Sequence, residues 1–351
     1  KRESDNRTVR AIYPDGFLPL IQSKIADYSF AAGFKGKAGD WYYDASAVTG
    51  ENQFDYRINN THNVTLGANS PKKFYAGVLQ FGQTTLNLDL TRNYNIGSQA
   101  PLKTALGFEY RNESYKIGAG QPDSWRDGGV LIPDGPAAGT LGAPGAQVFP
   151  GFRPSDAVSK ARHSYAVYAD FENQVTAGWL VSAAARYEDF TDFGGTFNMK
   201  GSSRFEIGKA FALRGSVSTG FRAPHLAQQW FSSTATNFIG GVPFDNRTFP
   251  VKEPVARLLG AKNLKPETSN NLSVGLTFQP VPGFTASVDY YNIKIDDRIV
   301  LSSTFIDSGT TLIKDFLAAN GQAQAVGGRY FTNAVDTTTE GIDVNGRYTI
   351  K

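Results

Sequence analysis

The 351-residue chain carries 35 Lys and Arg against 32 Asp and Glu, a net charge of +3, too balanced to imply a nucleic-acid partner. Its 25 Phe, 16 Tyr and 4 Trp argue against disorder, and the absence of Cys excludes disulfides, thiolate catalysis and thiolate metal sites without identifying a compartment. No run of 18 or more apolar residues occurs, which excludes a helical membrane span but leaves a β-barrel open, since barrel strands are short and only weakly hydropathic.

Lys1-Arg2-Glu3-Ser4-Asp5 has no apolar stretch behind it, the start expected of a mature protein or an internal fragment and not of a signal peptide. Beyond it, alternation with period two dominates and predicts strands near 26–36, 40–58, 81–94, 101–116, 163–174, 179–190, 194–206, 211–221, 267–278, 284–300 and 338–350. Leu86, Leu88 and Leu90 oppose Asn87, Asp89 and Thr91; Tyr165, Val167, Ala169 and Phe171 share one parity, with Tyr168 on the polar side. Trp179, Val181, Ala183, Ala185 and Tyr187 follow, then Phe211, Leu213 and Val217, then Leu272, Val274, Leu276 and Phe278.

The connections alternate in size. Those at 37–40, 173–178, 207–210 and 279–283 are short; those at 59–80, 117–162, 222–266 and 301–337 are long, and 191–193 is the one short link on the long side. Short turns on one rim and long loops on the other, joined by strands longer than a soluble strand's usual 5–6 residues, favour a transmembrane barrel over a soluble sandwich. Trp41, Trp179, Phe211, Phe278 and Phe284 lie beside the short turns, and Tyr187, Phe221 and Tyr290 towards the long loops. The eight residues from Trp179 to Tyr187 span roughly 20 Å of height in a tilted strand, close to the spacing of two aromatic girdles. Asp89, Glu109, Arg111, Asp170, Glu172, Arg186, Glu188 and Arg214 share the polar parity, a load that suits a polar lumen and not a dry core.

In the loops, 133–151 is too poor in packing side chains to form an internal core, and short helices are expected at Val255–Gly260 and at Thr311–Asn320, stopped by Gly321. His62, His163 and His225 follow no metal-binding spacing, and no zincin, nucleophile-elbow or P-loop pattern occurs. Asp296-Asp297 reads as solvated rim charge, because adjacent carboxylates on a strand point to opposite faces. The expectation is therefore no catalytic residue, no metal and no cofactor.

Several strings resemble TonB-dependent outer-membrane transporters. They are Val217-Ser218-Thr219-Gly220-Phe221-Arg222-Ala223-Pro224, then Leu258-Leu259-Gly260-Ala261 and Leu264-Lys265-Pro266-Glu267-Thr268-Ser269, then Phe284 to Ile293 and Thr339-Glu340-Gly341-Ile342-Asp343. Upstream, Tyr13-Pro14-Asp15-Gly16-Phe17-Leu18-Pro19 resembles a loop segment of some members. The ordered set covers residues 163–351. In physical terms Gly220, Phe221, Arg222, Ala223, Pro224, Lys265, Pro266 and Glu267 read as rim architecture, with Pro224 ending the pairing.

The resemblance implies an all-β, antiparallel barrel of about 22 strands in the bacterial outer membrane, filled by an N-terminal plug that engages TonB. Residues 1–351 would form one partial barrel domain, about 11 strands of it, with plug and closing strands outside the sequence read here. It further implies energy-coupled uptake of a scarce small molecule, foremost a ferric siderophore, with outer-membrane lipid and lipopolysaccharide around the wall. Passive diffusion, adhesion, or uptake of a saccharide or another nutrient are the competing readings. Loop aromatics and arginines are the ligand-contact candidates: Trp125, Arg126, Phe149, Arg153, Trp230, Phe231, Phe244 and Arg247.

Overall fold

Eleven long strands pair into a single antiparallel sheet in the computed structural model, which describes residues 1–350 apart from 3, 6, 209, 240, 241, 308–310, 323 and 324; of 235–239 and 242–244 only the backbone is described. In chain order the strands are β1 (Leu20–Ala38), β2 (Trp41–Asn59), β3 (Lys73–Tyr94), β4 (Leu102–Gly118), β5 (Val158–Thr176), β6 (Trp179–Phe190), β7 (Gly194–Ile207) and β8 (Phe211–Arg222). There follow α1 (Leu226–Trp230), β9 (Ser233–Ile239), β10 (Val242–Thr248), α2 (Pro254–Leu258), β11 (Glu267–Phe278) and β12 (Phe284–Leu301). The chain continues through β13 (Phe305–Ile306), α3 (Leu312–Ala319), β14 (Ala325–Arg329) and β15 (Phe331–Tyr348). The large sheet runs β1 to β8, then β11, β12 and β15, and among the described residues β1 and β15 each pair on one side only.

All eleven expected strands are present, but four start earlier at the long-loop end: β1 at 20, β3 at 73, β5 at 158 and β15 at 331. In the β3 extension a bulge opposite Tyr56 and Arg57 shifts the alternation and both faces are covered. Phe74, Ala76 and Val78 are all buried, and Ala76 holds Phe152 through a backbone bond of 2.9 Å. The connection expected at 59–80 therefore shrinks to 60–72. The helices fall close to where composition placed them, but the small sheet in the order β13-β14-β10-β9 was not expected. Asp296-Asp297 sits at a bulge between β12 and β15, with Asp297 at φ +57° and its amide donating to Asp336 at 2.9 Å.

Neighbouring rows of the sheet contrast sharply. One row runs Phe34, Ala45, Leu88, Phe108, Val167, Tyr187 and Phe197 across seven strands. The adjacent row runs Asp44, Asp89, Gly107, Tyr168, Arg186 and Asn198. The first face leaves Phe34 70%, Val217 57% and Ile342 67% exposed, a contiguous apolar surface far beyond what a soluble monomer shows. Near the short turns Trp41 meets Tyr94 edge-on at 6.3 Å, and Phe278 contacts both Phe211 at 4.6 Å and Phe284 at 6.4 Å. That is the aromatic collar expected where a wall leaves hydrocarbon for water.

Charges on the opposite face satisfy one another across strands. Glu109 takes Arg111 at 2.7 Å and Arg186 at 3.3 Å, and Arg186 also reaches Glu188 at 2.9 Å. Two glycines make longer bridges possible. Gly107 lies between Asp89 and Tyr168, and Gly275 between Arg214 and Asp289. With no side chain in the middle strand, Tyr168 hydrogen-bonds Asp89, and Arg214 grips Asp289 through two bonds of 2.6 and 2.8 Å. A Cβ at either glycine would run into the side chain that crosses it.

Gly107→Val and Gly275→Val in the full-length protein are each expected to lower wall stability by about 1–3 kcal/mol through overpacking. The measurement is the urea midpoint in lipid or detergent; an unchanged midpoint would mean that the crossing side chains are not coupled through the gap.

Candidate functional site

The hydrophobic cores lie at the long-loop rim. Phe249, Val251, Val255, Ala256, Leu264, Leu317 and Tyr330 form one, built by the connections after β8 and β12. Tyr115, Ile117, Phe152 and Leu226 form another, where the connection after β8 folds down against the polar face of β4. Burying each large side chain contributes about 2–3 kcal/mol, so these connections are packed structures and not free loops. Residues 133–151 depart from expectation here: Ala143 and Ala146 are buried, the latter among Ile58, Phe74 and Ala76. Small residues are what this packing requires, since a Cβ on Gly142 would meet Val64 and one on Gly151 would meet Ser124.

The segment 223–232 leaves β8 at Arg222 and turns inward at Pro224. His225 caps α1: its Nδ1 accepts from the Ala227 amide at 3.1 Å, while its own amide donates to Gln228 at 2.9 Å. Burial and the nearby Arg162 and Arg222 hold the His225 pKa below the usual histidine value, against the pull of Glu113, which keeps the capping nitrogen unprotonated. The short helix ends on Trp230. Lys160 Nζ stands 4.5 Å from the Trp230 ring centre and Lys252 Nζ stands 5.4 Å from it. Lys160 projects from β5 on the parity of Arg162 and Ser164, opposite buried Tyr115, and Lys252 is brought in by the Val251 amide, which donates to Gln229 O at 3.0 Å. Both lysines are exposed, and among the described residues neither has an ion-pair partner.

Trp230 and Lys252 line a pocket of about 270 Å³ with Ser155, Val158 and Glu253. A second pocket of about 220 Å³, lined by Arg153, Asp245, Gln322 and Ala325, lies beside it. Arg247 belongs to both linings. Its guanidinium donates to Glu253 at 2.8 Å, Gln322 at 3.0 Å, Ser232 at 3.2 Å and Ser155 O at 3.4 Å, so it joins three separate connections.

The other candidates divide as follows. Arg153 pairs with Asp245 at 2.7 Å. Phe149 stacks on Tyr56 at 4.8 Å, and Phe149 and Phe231 both meet Phe152 edge-on. Trp125 donates its indole N–H to Gly120 O at 3.1 Å, beside exposed Arg126, which pairs with Asp123 at 2.6 Å. The side chain of Phe244 lies outside the described residues.

In the rim strings, Phe221 meets Phe190 edge-on at 5.9 Å, and Arg222 lies 3.7 Å from Glu267, which accepts the Ile299 amide. Gly220 faces Ser269, and Pro224 O accepts from Arg162 at 2.6 Å. Lys265 is bonded through both backbone groups to Asn333, just before Pro266 leads into β11. Ala223 is half-buried beside them. Lys160 and Lys252 were missed from sequence because no spacing links residues 160, 230 and 252; only the shared parity of Lys160 and Arg162 hinted at a lumen-facing cation.

A second cluster ties residues 1–19 to the connection after β2. His62 is fully buried, accepts the Val9 amide at 3.3 Å, and packs against Phe17 at 4.7 Å and Tyr13 at 5.7 Å. Asn63 beside it donates to Asp123 O at 3.0 Å and Arg126 O at 2.9 Å, so the Tyr13–Pro19 segment is tied through His62 and Asn63 to the connection that carries Trp125 and Arg126.

Residues 4–351 match the protein family described as TonB dependent receptor-like, beta-barrel. Among curated proteins, the ferric enterobactin receptor PirA of Pseudomonas aeruginosa is 23% identical over 135 residues, 38% of this chain and 17% of that receptor. Among solved structures, the siderophore receptor PirA from Acinetobacter baumannii superposes with a TM-score of 0.59 at 15% identity, covering 92% of this chain and 42% of that one. The RagAB peptide transporter superposes at 0.55 with 12% identity, covering 95% and 35%. The chain thus spans less than half the length of these relatives, and at such identities the structural likeness establishes the fold and leaves the cargo to be argued from the site.

Burial lowers the His62 pKa to about 4, from 6.5 in an unfolded chain, partly offset by a backbone contact with Arg7. The stability this neutral histidine contributes is complete above pH 6.5 and is lost as the pH falls towards 4, by up to about 3 kcal/mol. The protection factors of amides 8–17, each observed rate referred to its intrinsic rate at the same pH, are expected to fall between pH 7 and pH 4.5, and His62→Leu is expected to abolish that fall. Equal protection at both pH values would remove His62 as the lever.

Proposed function

The chain belongs to the TonB-dependent receptor β-barrel family, and from that premise we propose that the full-length protein is an outer-membrane receptor for energy-coupled uptake of a ferric siderophore. The observation that carries the cargo is Trp230 with the ammonium groups of Lys160 and Lys252 over its ring, beside the polar face. A ferric catecholate complex presents aromatic rings and net negative charge. The indole offers it an aromatic surface, and two lysines without a carboxylate partner among the described residues offer it charge. A neutral saccharide would use the ring and leave both ammonium groups without purpose. The PirA proteins, described as ferric enterobactin and siderophore receptors, support the same cargo class.

In this reading the connections after β4, β8 and β12 form the extracellular bowl, and the apolar face meets outer-membrane lipid and lipopolysaccharide. A plug and a TonB-binding segment belong to the full-length protein. The family is one of receptors and transporters, and uptake here needs no covalent step. Exposed Arg126 and half-buried Trp125 form a secondary contact from the connection after β4. Arg153, Arg247, Phe149 and Phe231 shape the bowl from within.

In a titration of the full-length protein with ferric enterobactin, Trp230→Ala is expected to raise Kd about tenfold or more, as loss of a buried aromatic anchor does. Lys160→Gln with Lys252→Gln is expected to raise Kd by a similar factor and to flatten its salt dependence. Unchanged affinity in both variants would sink the siderophore assignment. Uptake that persists without TonB would make the protein a passive pore.

A further inference from the structure

Two residues beyond Lys160 on the same strand and the same face, Arg162 is almost wholly enclosed, 5% exposed. Its Nε donates to Glu113 of β4 at 2.7 Å. Its Nη1 lies 3.2 Å from Asp192, in the short link between β6 and β7, and donates to Pro224 O at 2.6 Å. The guanidinium also lies 5.2 Å from the ring centre of Phe190. Gln229, the residue before Trp230, closes the arrangement: its Nε2 donates to the same Asp192 oxygen at 2.6 Å and approaches Pro224 O at 3.4 Å. The wall, the short link and the Pro224 turn thus meet at one cation, and the last turn of α1 joins them through the acceptors it shares with that cation.

We propose that Arg162 is a positioning residue that fixes segment 223–231 and thereby sets the Trp230 ring against the two lysines. What Trp230 meets there rests on the siderophore reading above; the clamp itself does not. Only an arginine fits the task. Its planar fork reaches Glu113 through one edge and Asp192 with the Pro224 carbonyl through the other, and it remains charged when buried. A lysine in its place has enough N–H donors for Asp192 and the Pro224 carbonyl, which one nitrogen already serves, but it cannot reach Glu113 as well and leaves that carboxylate desolvated and unpaired. Pro224 has a second role here: as well as ending the β8 ladder, it presents a carbonyl that the wall holds. The short link at 191–193 has its reason in the same place, because a longer one would carry Asp192 away from the cation.

The test uses the full-length protein labelled with 5-fluorotryptophan, with the Trp230 resonance assigned by Trp230→Phe. Arg162→Gln is expected to narrow that resonance and give it a solvent isotope shift, Arg162→Lys to do so partially, and both to keep the folded barrel's gel mobility. If about a tenth of molecules then hold Trp230 in place, Kd for ferric enterobactin rises about tenfold. Gln229→Leu leaves the Arg162–Glu113 pair intact and is expected to free Trp230 in the same way, which covers the case in which Arg162→Gln fails to fold. A Trp230 resonance unchanged in folded Arg162→Gln or in Gln229→Leu overturns the proposal. A freed Trp230 with unchanged ferric enterobactin affinity in both Arg162→Gln and Trp230→Ala upholds the clamp and overturns the cargo assignment instead.

Discussion

Backbone pairing with a strict period of two is the constraint from which the rest follows. Once β1 to β8, β11, β12 and β15 are in register, every second side chain is committed to one of two solvents. A shift by one residue in any strand would put Asp89, Arg186 or Arg214 on the apolar face and strip the opposite face of its ion pairs. The register is therefore held by charge as well as by hydrophobicity. The row of Asp89, Gly107, Tyr168 and Arg186 can be satisfied only beside the row of Leu88, Phe108, Val167 and Tyr187. The glycines inside these rows serve that purpose: Gly107 and Gly275 are the missing side chains that let a partner two strands away be reached.

Sequence reading recovered this part of the molecule well for a physical reason. A half-buried strand has to alternate, and eleven of them in succession leave little room for another period. The overhang of β3 escapes the pattern because Phe74 and Val78, on either side of a bulge, point to opposite faces and are both buried. The sheet of β9, β10, β13 and β14 was invisible for a related reason. Its strands are seven residues or fewer, and β10 pairs in parallel with β14, more than seventy residues onward. Neither feature leaves a local trace.

The mouth was only partly legible. Aromatic and arginine side chains were the right residue types to look for, but type does not reveal whether a side chain faces the bowl or holds it together. Arg247 and Arg153 turned out to be tied into carboxylates and carbonyls, and Phe149 and Phe231 into an aromatic cluster around Phe152. Trp230 became distinctive only when the fold brought Lys160 and Lys252 to it from seventy residues before and twenty-two after in the sequence.

The two kinds of cation divide the work at this rim. Arg162 and Arg247 are buried and Arg153 is half-buried, and each has a carboxylate within 2.8 Å. Their forks suit fixed, multidentate ties, and such ties hold three long connections in one arrangement. Lysines 160 and 252 are exposed against an indole, with no carboxylate to neutralise them among the described residues. An uncompensated ammonium costs little in water, so it can stand ready for an anion without straining the fold. Reversing the assignment would fail at the buried positions, where lysines would leave acceptors unpaired.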